Sequence, residues 1–374
     1  MSTETANKGL EGIVALSSSV SSIVDGVLTY RGYNIDDLAE NTTFEEVIYL
    51  LLNDDLPTQA QLDELNQQLN DARPVEAAFL EVLKQLPITH SPMERLRTGI
   101  SLLGLYDNES EDNSTEANRR KAIRLIAQMP TVIAAQERIR RGKAPVAPKP
   151  GLSTAASFLQ MMHDSDPDPI AVEALDKALI LHADHELNAS TFAARQTVST
   201  LADIYSAVTS AVGTLKGPLH GGANEQVIRT LQKIGEVSKV AAFLNDALEN
   251  KERIMGFGHR VYKDGDPRAK HLKKMSYELG KMNGEMKWYE MSDLLEKDML
   301  EKKGMKPNVD FYSASVYFVL GIPIDLYTPI FALSRISGWV AHILEQYGNN
   351  RLIRPRADYT GPVSRVSKPI AERG

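Results

Sequence analysis

Helical periodicity runs through almost all of the 374-residue chain, and continuous strand patterns are nearly absent. The exception is GVLTYRGYNI (26–35), where β-prone residues around a glycine predict a short hairpin. Helix starts carry their own chemistry. Thr43 with Glu46 makes a capping box that opens TFEEVIYLLLND, and Ser91-Pro92-Met93-Glu94 repeats the signal with proline at the first helical position. ANRRKAIRLIAQMPTVIAAQERIRR reads as a helix kinked at Pro130. The acidic YDNESEDNSTE (106–116) reads as a solvated loop and GKAPVAPKPG (142–151) as a linker. From 153 to 215 the pattern is helical, with small residues that predict a close, buried helix pair. Glycine and proline then break it near 217–222 and again at 321–323. These breaks predict a small domain, 221–322, inserted into a larger one, 1–220 with 323–374, both mainly α.

Composition removes several classes of function. The chain has no cysteine, which excludes disulfides, thiolate catalysis, Fe–S clusters and Cys-based zinc sites, and fits a reducing compartment. No run free of Asp, Glu, Lys and Arg exceeds 14 residues, too short for a membrane-spanning helix. The N-terminus, MSTETANKGLEG, lacks the order of a secretion signal, and the expectation is a cytoplasmic protein. Forty-two Lys and Arg against forty-nine Asp and Glu leave a net charge of −7, which argues against general nucleic-acid binding. A small anionic ligand needs only a few local cations and stays open.

With thiols absent, His, Asp and Arg must carry most chemistry. His220 sits among glycines in GPLHGGANE, just before a helix running through EQVIRTLQKIGEV. The positive end of a helix dipole disfavours a protonated imidazole, and a neutral one can donate to a carbonyl oxygen. The competing explanation is a His that caps the helix or fills a turn. A second glycine-flanked His, His259, lies in GFGHRVYKDGDPRAK. There Asp266 reads as a helix cap and Pro267 as the first helical residue, which leaves Arg268 unexplained. An Arg in a first turn opposes the dipole and is more comfortable with a bound anion, and its fork suits a carboxylate. His182 and His185, three apart in LHADHE, would share a helix face, either as buried hydrogen-bonded groups or as a metal pair. Asp310 precedes a strongly apolar run, either as an ordinary helix cap or as a carboxylate whose basicity that surface raises. Arg351, Arg354 and Arg356 concentrate positive charge in the tail.

In order, LTYRGYNIDDLAE, LHADHELNAST, GPLHGGANE, GFGHRVYKDGDPRAK, PNVDFYSASVY, FALSRISGWVAH and RPRADYTG resemble the signature segments of the citrate synthase family, over nearly the whole chain from Gly9. The resemblance implies a mainly α, two-domain multi-helical homodimer whose small domain closes over substrate. It implies condensation of acetyl-CoA with oxaloacetate and hydrolysis of citryl-CoA, with acetyl-CoA a substrate and no cofactor. By the same resemblance, Asp310 is the base that takes a methyl proton. His220 donates to the thioester oxygen, and His259 polarises the oxaloacetate ketone. His185, Asn188, Arg268, Arg335 and, from the partner subunit, Arg354 would hold oxaloacetate. Met255, Gly256, Phe257, Gly258, Lys263 and Asn308 would hold CoA. The chain enters the shared pattern almost at once, without the extension of the long NADH-inhibited forms, so weak or absent NADH inhibition is expected. Assembly beyond the dimer stays open.

The nearest rival is 2-methylcitrate synthase, which shares these motifs and takes propionyl-CoA. A citryl-CoA lyase fits less well, lacking the ligase portion often fused to it. A non-catalytic helical assembly protein and a metal-dependent hydrolase using His182 and His185 are readings from other classes.

Overall fold

The computed structural model describes residues 8–10, 12–259, 261–262 and 264–373. Strands β1 (Ser21–Val24), β2 (Val27–Tyr30) and β3 (Tyr33–Asn34) form one antiparallel sheet in that order. The predicted hairpin is β2 and β3, with Tyr30 opposite Tyr33 and a turn at Arg31 and Gly32, both at positive φ (48° and 86°). The polar β1 carries no strand signal and adds a third strand outside the predicted segment. Tyr30 is wholly buried. Its hydroxyl lies 3.1 Å from the carbonyl of Ile180 and 3.0 Å from that of Asp184, and accepts from the Asp184 amide at 3.2 Å.

The rest is helical. The first group comprises α1 (Ile35–Asn41), α2 (Phe44–Asn53), α3 (Gln59–Ala72), α4 (Ala77–Gln85), α5 (Pro92–Leu105), α6 (Thr115–Arg140), α7 (Thr154–His163), α8 (Pro169–His182), α9 (Ala189–Val198) and α10 (Ile204–Leu215). After the glycines come α11 (Ala223–Ile234), α12 (Val240–Glu249), α13 (Ala269–Asn283), α14 (Lys287–Lys303) and α15 (Val309–Val319), then α16 (Tyr327–Gly348). Both predicted capping boxes are complete, at Thr43 with Glu46 and at Ser91 with Glu94. Helices α9 and α10 form the close pair expected from their small residues. Helix α6 runs unbroken through the buried Pro130, so no interruption marks the predicted kink, and packing of α5, α7 and α16 against it holds the helix together. No helix among the described residues is long and apolar enough to cross a membrane.

Helix α16 is the axis. Nearly every residue from Tyr327 to Ile343 is buried, as expected of a helix apolar on all sides, and it packs on α2, α6, α8, α9 and α10. Helices α11, α13, α14 and α15 pack among themselves, while α13 and α15 also lean on α8 and α11 on α16. Chemistry-bearing side chains gather along that seam.

Two local expectations are corrected. Helix α13 starts at Ala269 with Arg268, not Asp266, in the cap position. The Asp266 carboxylate still accepts from the Arg268 amide at 3.1 Å, but its remaining contacts are with the Arg268 guanidinium and the Val309 amide. Helix α8 ends at His182, so His185 lies in the following loop and the two share no helix face. Long-range bonds from Tyr30 and Ser21 to residues 184 and 186 pull the chain out of helix there.

Candidate active site

The turn 217–222 sets His220 in place. Gly221 has no room for a side chain, because a Cβ would overlap the Leu215 carbonyl and lie 2.8 Å from Thr328 Cγ2. Gly222, at φ 86°, then caps α11 without a side-chain bond. His220 itself turns towards α9, where its Nε2 accepts from the Ser190 amide at 3.3 Å and lies 2.8 Å from Ser190 Oγ. Since Nε2 accepts from a backbone N–H, the neutral ring carries its proton on Nδ1. Burial, helped by the charge of Arg335, lowers the His220 pKa to about 4, so the ring is neutral at physiological pH. Ser190 is braced in turn by Trp339 Nε1 at 3.1 Å and by Asn188 Oδ1 at 2.8 Å. Asn188 caps α9: its Oδ1 accepts from the Thr191 amide at 3.1 Å and its Nδ2 donates to Thr191 Oγ1 at 2.9 Å.

Opposite lies the glycine loop. At φ 86°, Gly256 puts its backbone where a Cβ would come within 2.7 Å of Val227 and 2.8 Å of Phe311. The loop is laced to the segment before α15. The Gly258 amide donates to Lys306 (3.0 Å), the Asn308 amide to Gly256 (2.9 Å), and Asn308 Nδ2 to the Gly258 carbonyl (2.9 Å). Asn308 also caps α15 by accepting from the Asp310 amide at 3.1 Å. Asp310 is therefore not the helix cap; it stands in the first turn. Burial, aided by the negative charge of Asp266 and opposed by Arg268 and Arg335, pushes its pKa up to about 6. His259 Nδ1 accepts from the Val261 and Tyr262 amides at 3.0 and 3.3 Å, so its neutral form carries the proton on Nε2. Burial first, then Arg268, lowers its pKa.

His220, His259 and Asp310 line one cavity of about 860 Å³, together with Met255, Gly256, Phe257, Gly258 and Asn308. His185 adjoins it, its ring 5.3 Å from that of His259 and its Nε2 3.0 Å from the Tyr262 hydroxyl. Arg268 and Arg335 are 2% and 1% exposed and act on these same groups electrostatically. Arg354 is exposed in the tail and lines a separate cavity between Leu10, residues 13–19 and the end of α16, so a single chain does not bring it to the cleft. Lys263 lies outside the described residues. Lys251, Arg253 and Lys303 also line the cavity and went unnoticed in the sequence, although Lys251 and Arg253 directly precede the glycine loop. Ser190 and Tyr262 were missed too, since a Ser after an Asn cap and a Tyr in a loop carry no sequence signal of a site.

The cleft thus offers a carboxylate of raised basicity and two neutral imidazoles with opposite nitrogens protonated, in the field of two buried guanidiniums. That set can remove a weakly acidic C–H proton, stabilise negative charge developing on two oxygens and hold a dianion. Comparison with known proteins agrees on one family. Residues 9–356 match the family model described as citrate synthase, C-terminal domain. The chain is 59% identical to citrate synthase 2 of Bacillus subtilis, covering 99% of this chain and 100% of that protein. It is 43% identical to 2-methylcitrate synthase 2 of Corynebacterium glutamicum, with 99% of each covered. Among solved structures it superposes on citrate synthase from Pyrobaculum aerophilum with a TM-score of 0.91 at 40% identity, covering 98% of this chain and 95% of that one. The ternary complex of carboxymethyl coenzyme A and oxaloacetate with the Thermoplasma acidophilum enzyme gives 0.90 at 36% identity, covering 98% and 99%.

Proposed function

The chain belongs to the citrate synthase family, and on that premise we infer that it condenses acetyl-CoA with oxaloacetate and hydrolyses the citryl-CoA formed to citrate and CoA. It is an acyltransferase enzyme. The observation that carries the reading is the convergence of His220, His259 and Asp310 on one cavity. In the proposed sequence Asp310 takes a proton from the acetyl methyl group, the C–H electrons form a C=C bond, and the carbonyl π electrons move onto the thioester oxygen. His220 meets that oxygen with its Nδ1–H, the only ring proton it has while Nε2 accepts from Ser190. The enolate carbon attacks the oxaloacetate ketone, whose π electrons move to oxygen; that oxygen takes the Nε2 proton of His259, which a proton from solvent replaces. Water then cleaves the thioester.

Each role follows from a local balance. A carboxylate with its pKa raised to about 6 is a stronger base than an exposed one yet still ionised at pH 7. Imidazoles of depressed pKa donate as neutral groups, which suits an oxygen that never becomes a free anion. In this reading Arg268, Arg335 and His185 hold the keto-diacid, with Arg354 of a second copy completing the clamp in a homodimer. Asn188 would act through Ser190 as well as on ligand. Met255 to Gly258 and Asn308 line the CoA channel, with Lys251, Arg253 and Lys303 near its phosphates. The division into a large part, 1–220 with 323–374, and a small part, 221–322, belongs to the same proposal, as does a cytoplasmic location.

Release of free thiol from acetyl-CoA in the presence of oxaloacetate tests the function. Turnover that prefers propionyl-CoA by kcat/KM would replace it with the 2-methylcitrate activity; the higher identity to the Bacillus citrate synthase favours acetyl-CoA.

A further inference from the structure

One buried carboxylate in the seam has no part in the scheme above. Asp266 has a fully buried side chain and four donors around it. Its Oδ1 accepts from the Arg268 amide (3.1 Å) and Arg268 Nε (2.9 Å). Its Oδ2 accepts from Arg268 Nη2 (2.7 Å) and from the backbone amide of Val309 (3.1 Å). Val309 is the first residue of α15 and the neighbour of Asp310. A carboxylate that served only to neutralise Arg268 would have no need of an amide on another helix, forty-three residues away.

We propose that Asp266 is a positioning residue that couples the guanidinium gripping the keto-diacid to the helix turn carrying the base. The inference rests on the roles given above to Arg268 and Asp310. Two faces of the Arg268 fork are taken by Asp266, while Nη1 makes only a long contact, 3.5 Å, with the Leu181 carbonyl. A substrate carboxylate arriving at Arg268 shares its charge with Asp266, and the strain of that sharing is felt at the Val309 amide. Arg268 is thereby held neutralised before substrate arrives, and the base is set in register with the group it must work beside. Electrostatics support this geometry. Asp310 faces Arg268 and Asp266 from the loop before α13, Arg335 from α16, Tyr317 on its own helix, and His220 and His259 across the cavity. Of these, Asp266 is the anion that holds the Asp310 proton more tightly.

Asp266→Asn tests the coupling, because an amide offers one accepting atom where the carboxylate offers two. Whichever way the amide turns, its N–H group faces an Arg268 donor, and in one orientation it faces the Val309 amide as well. The expected result is a fall in kcat of about 10²-fold, the scale for small misplacement of a reacting group. The acid limb of the kcat–pH profile should also move to lower pH, since an anion near Asp310 is gone and Arg268 is unbalanced. Asp266→Glu keeps the charge but shifts it by a methylene; kcat should fall at least about tenfold with the acid limb unmoved. The Glu variant alone decides where the Asn variant does not fold. Wild-type kcat in either folded variant, or an Asn variant slowed with an unmoved acid limb, overturns the proposal. Wild-type protein without condensing activity, or an active Asp310→Asn, would overturn the functional reading instead, so the two failures are distinguishable.

Discussion

Arg268 and Arg335 are both buried in the same seam, yet they are kept charged by opposite means. The Arg268 guanidinium is chelated by Asp266, both of its bonds to that carboxylate under 3 Å. Burial would lower its pKa, but the Asp266 charge more than offsets this and raises it. Arg335 donates Nε to the His182 carbonyl at 2.8 Å and lies 4.6 Å over the Phe331 ring. With Asp184 as its main counter-charge and no carboxylate bonded to it among the described residues, burial lowers its pKa to about 10. One guanidinium is neutralised in advance and the other is left hungry for an anion. A dianionic ligand gains most at Arg335, where it relieves a charge only partly compensated, whereas at Arg268 it must compete with a partner already in place.

Asp310 lies in the field of both, so it reports on the difference. The largest effect is on turnover: Asp310→Asn should lower kcat by about 10²–10⁴-fold, measured by thiol release, with the fold retained by circular dichroism. Next come the arginines themselves, in denaturant unfolding without ligand. Arg268→Gln strands the buried Asp266 and should lose about 3–5 kcal/mol, while Arg335→Gln should lose well under that. Equal losses would break the contrast. A somewhat smaller effect is the stability gained by Asp310→Asn. The wild-type carboxyl has its pKa raised to about 6 in the fold, so its ionisation weakens the native state as pH rises from about 4 to 6. The variant should therefore be more stable by about 2–3 kcal/mol at pH 7 and no more stable below pH 4. The smallest effect is on the kcat–pH profile of the arginine variants. Both substitutions remove a cation that favours ionised Asp310, so both should move the acid limb upward, Arg268→Gln further because it also unmasks Asp266.

The same seam shows what sequence alone can and cannot convey. Capping boxes at Thr43 and Ser91 were legible because each is closed within four residues by its own side chains. The start of α13 was not: Asp266-Pro267 has the look of a cap, and only the distant Val309 amide and the Arg268 fork show where the carboxylate is held. The spacing of His182 and His185 implied a shared face, which long-range bonds to Tyr30 and Ser21 undo. Resemblance to a family named the candidate site residues. Local chemistry could say only that a His among glycines or an Asp before an apolar run was unusual. The proton positions on His220 and His259 were beyond either, since they depend on which backbone amide meets which ring nitrogen.

Tyr30 has a further consequence, for the order in which a new copy can become whole. The strand that carries it leaves the ribosome early, but the carbonyls it meets are about 150 residues downstream. The end of α8 and the loop after it, which bear those carbonyls, are pressed in turn by α16, where a side chain on Gly338 would overlap Ala183 and Asp184. A nascent chain therefore has no finished cleft until translation has passed α16, and a prematurely terminated copy lacks the wall that seats Arg335.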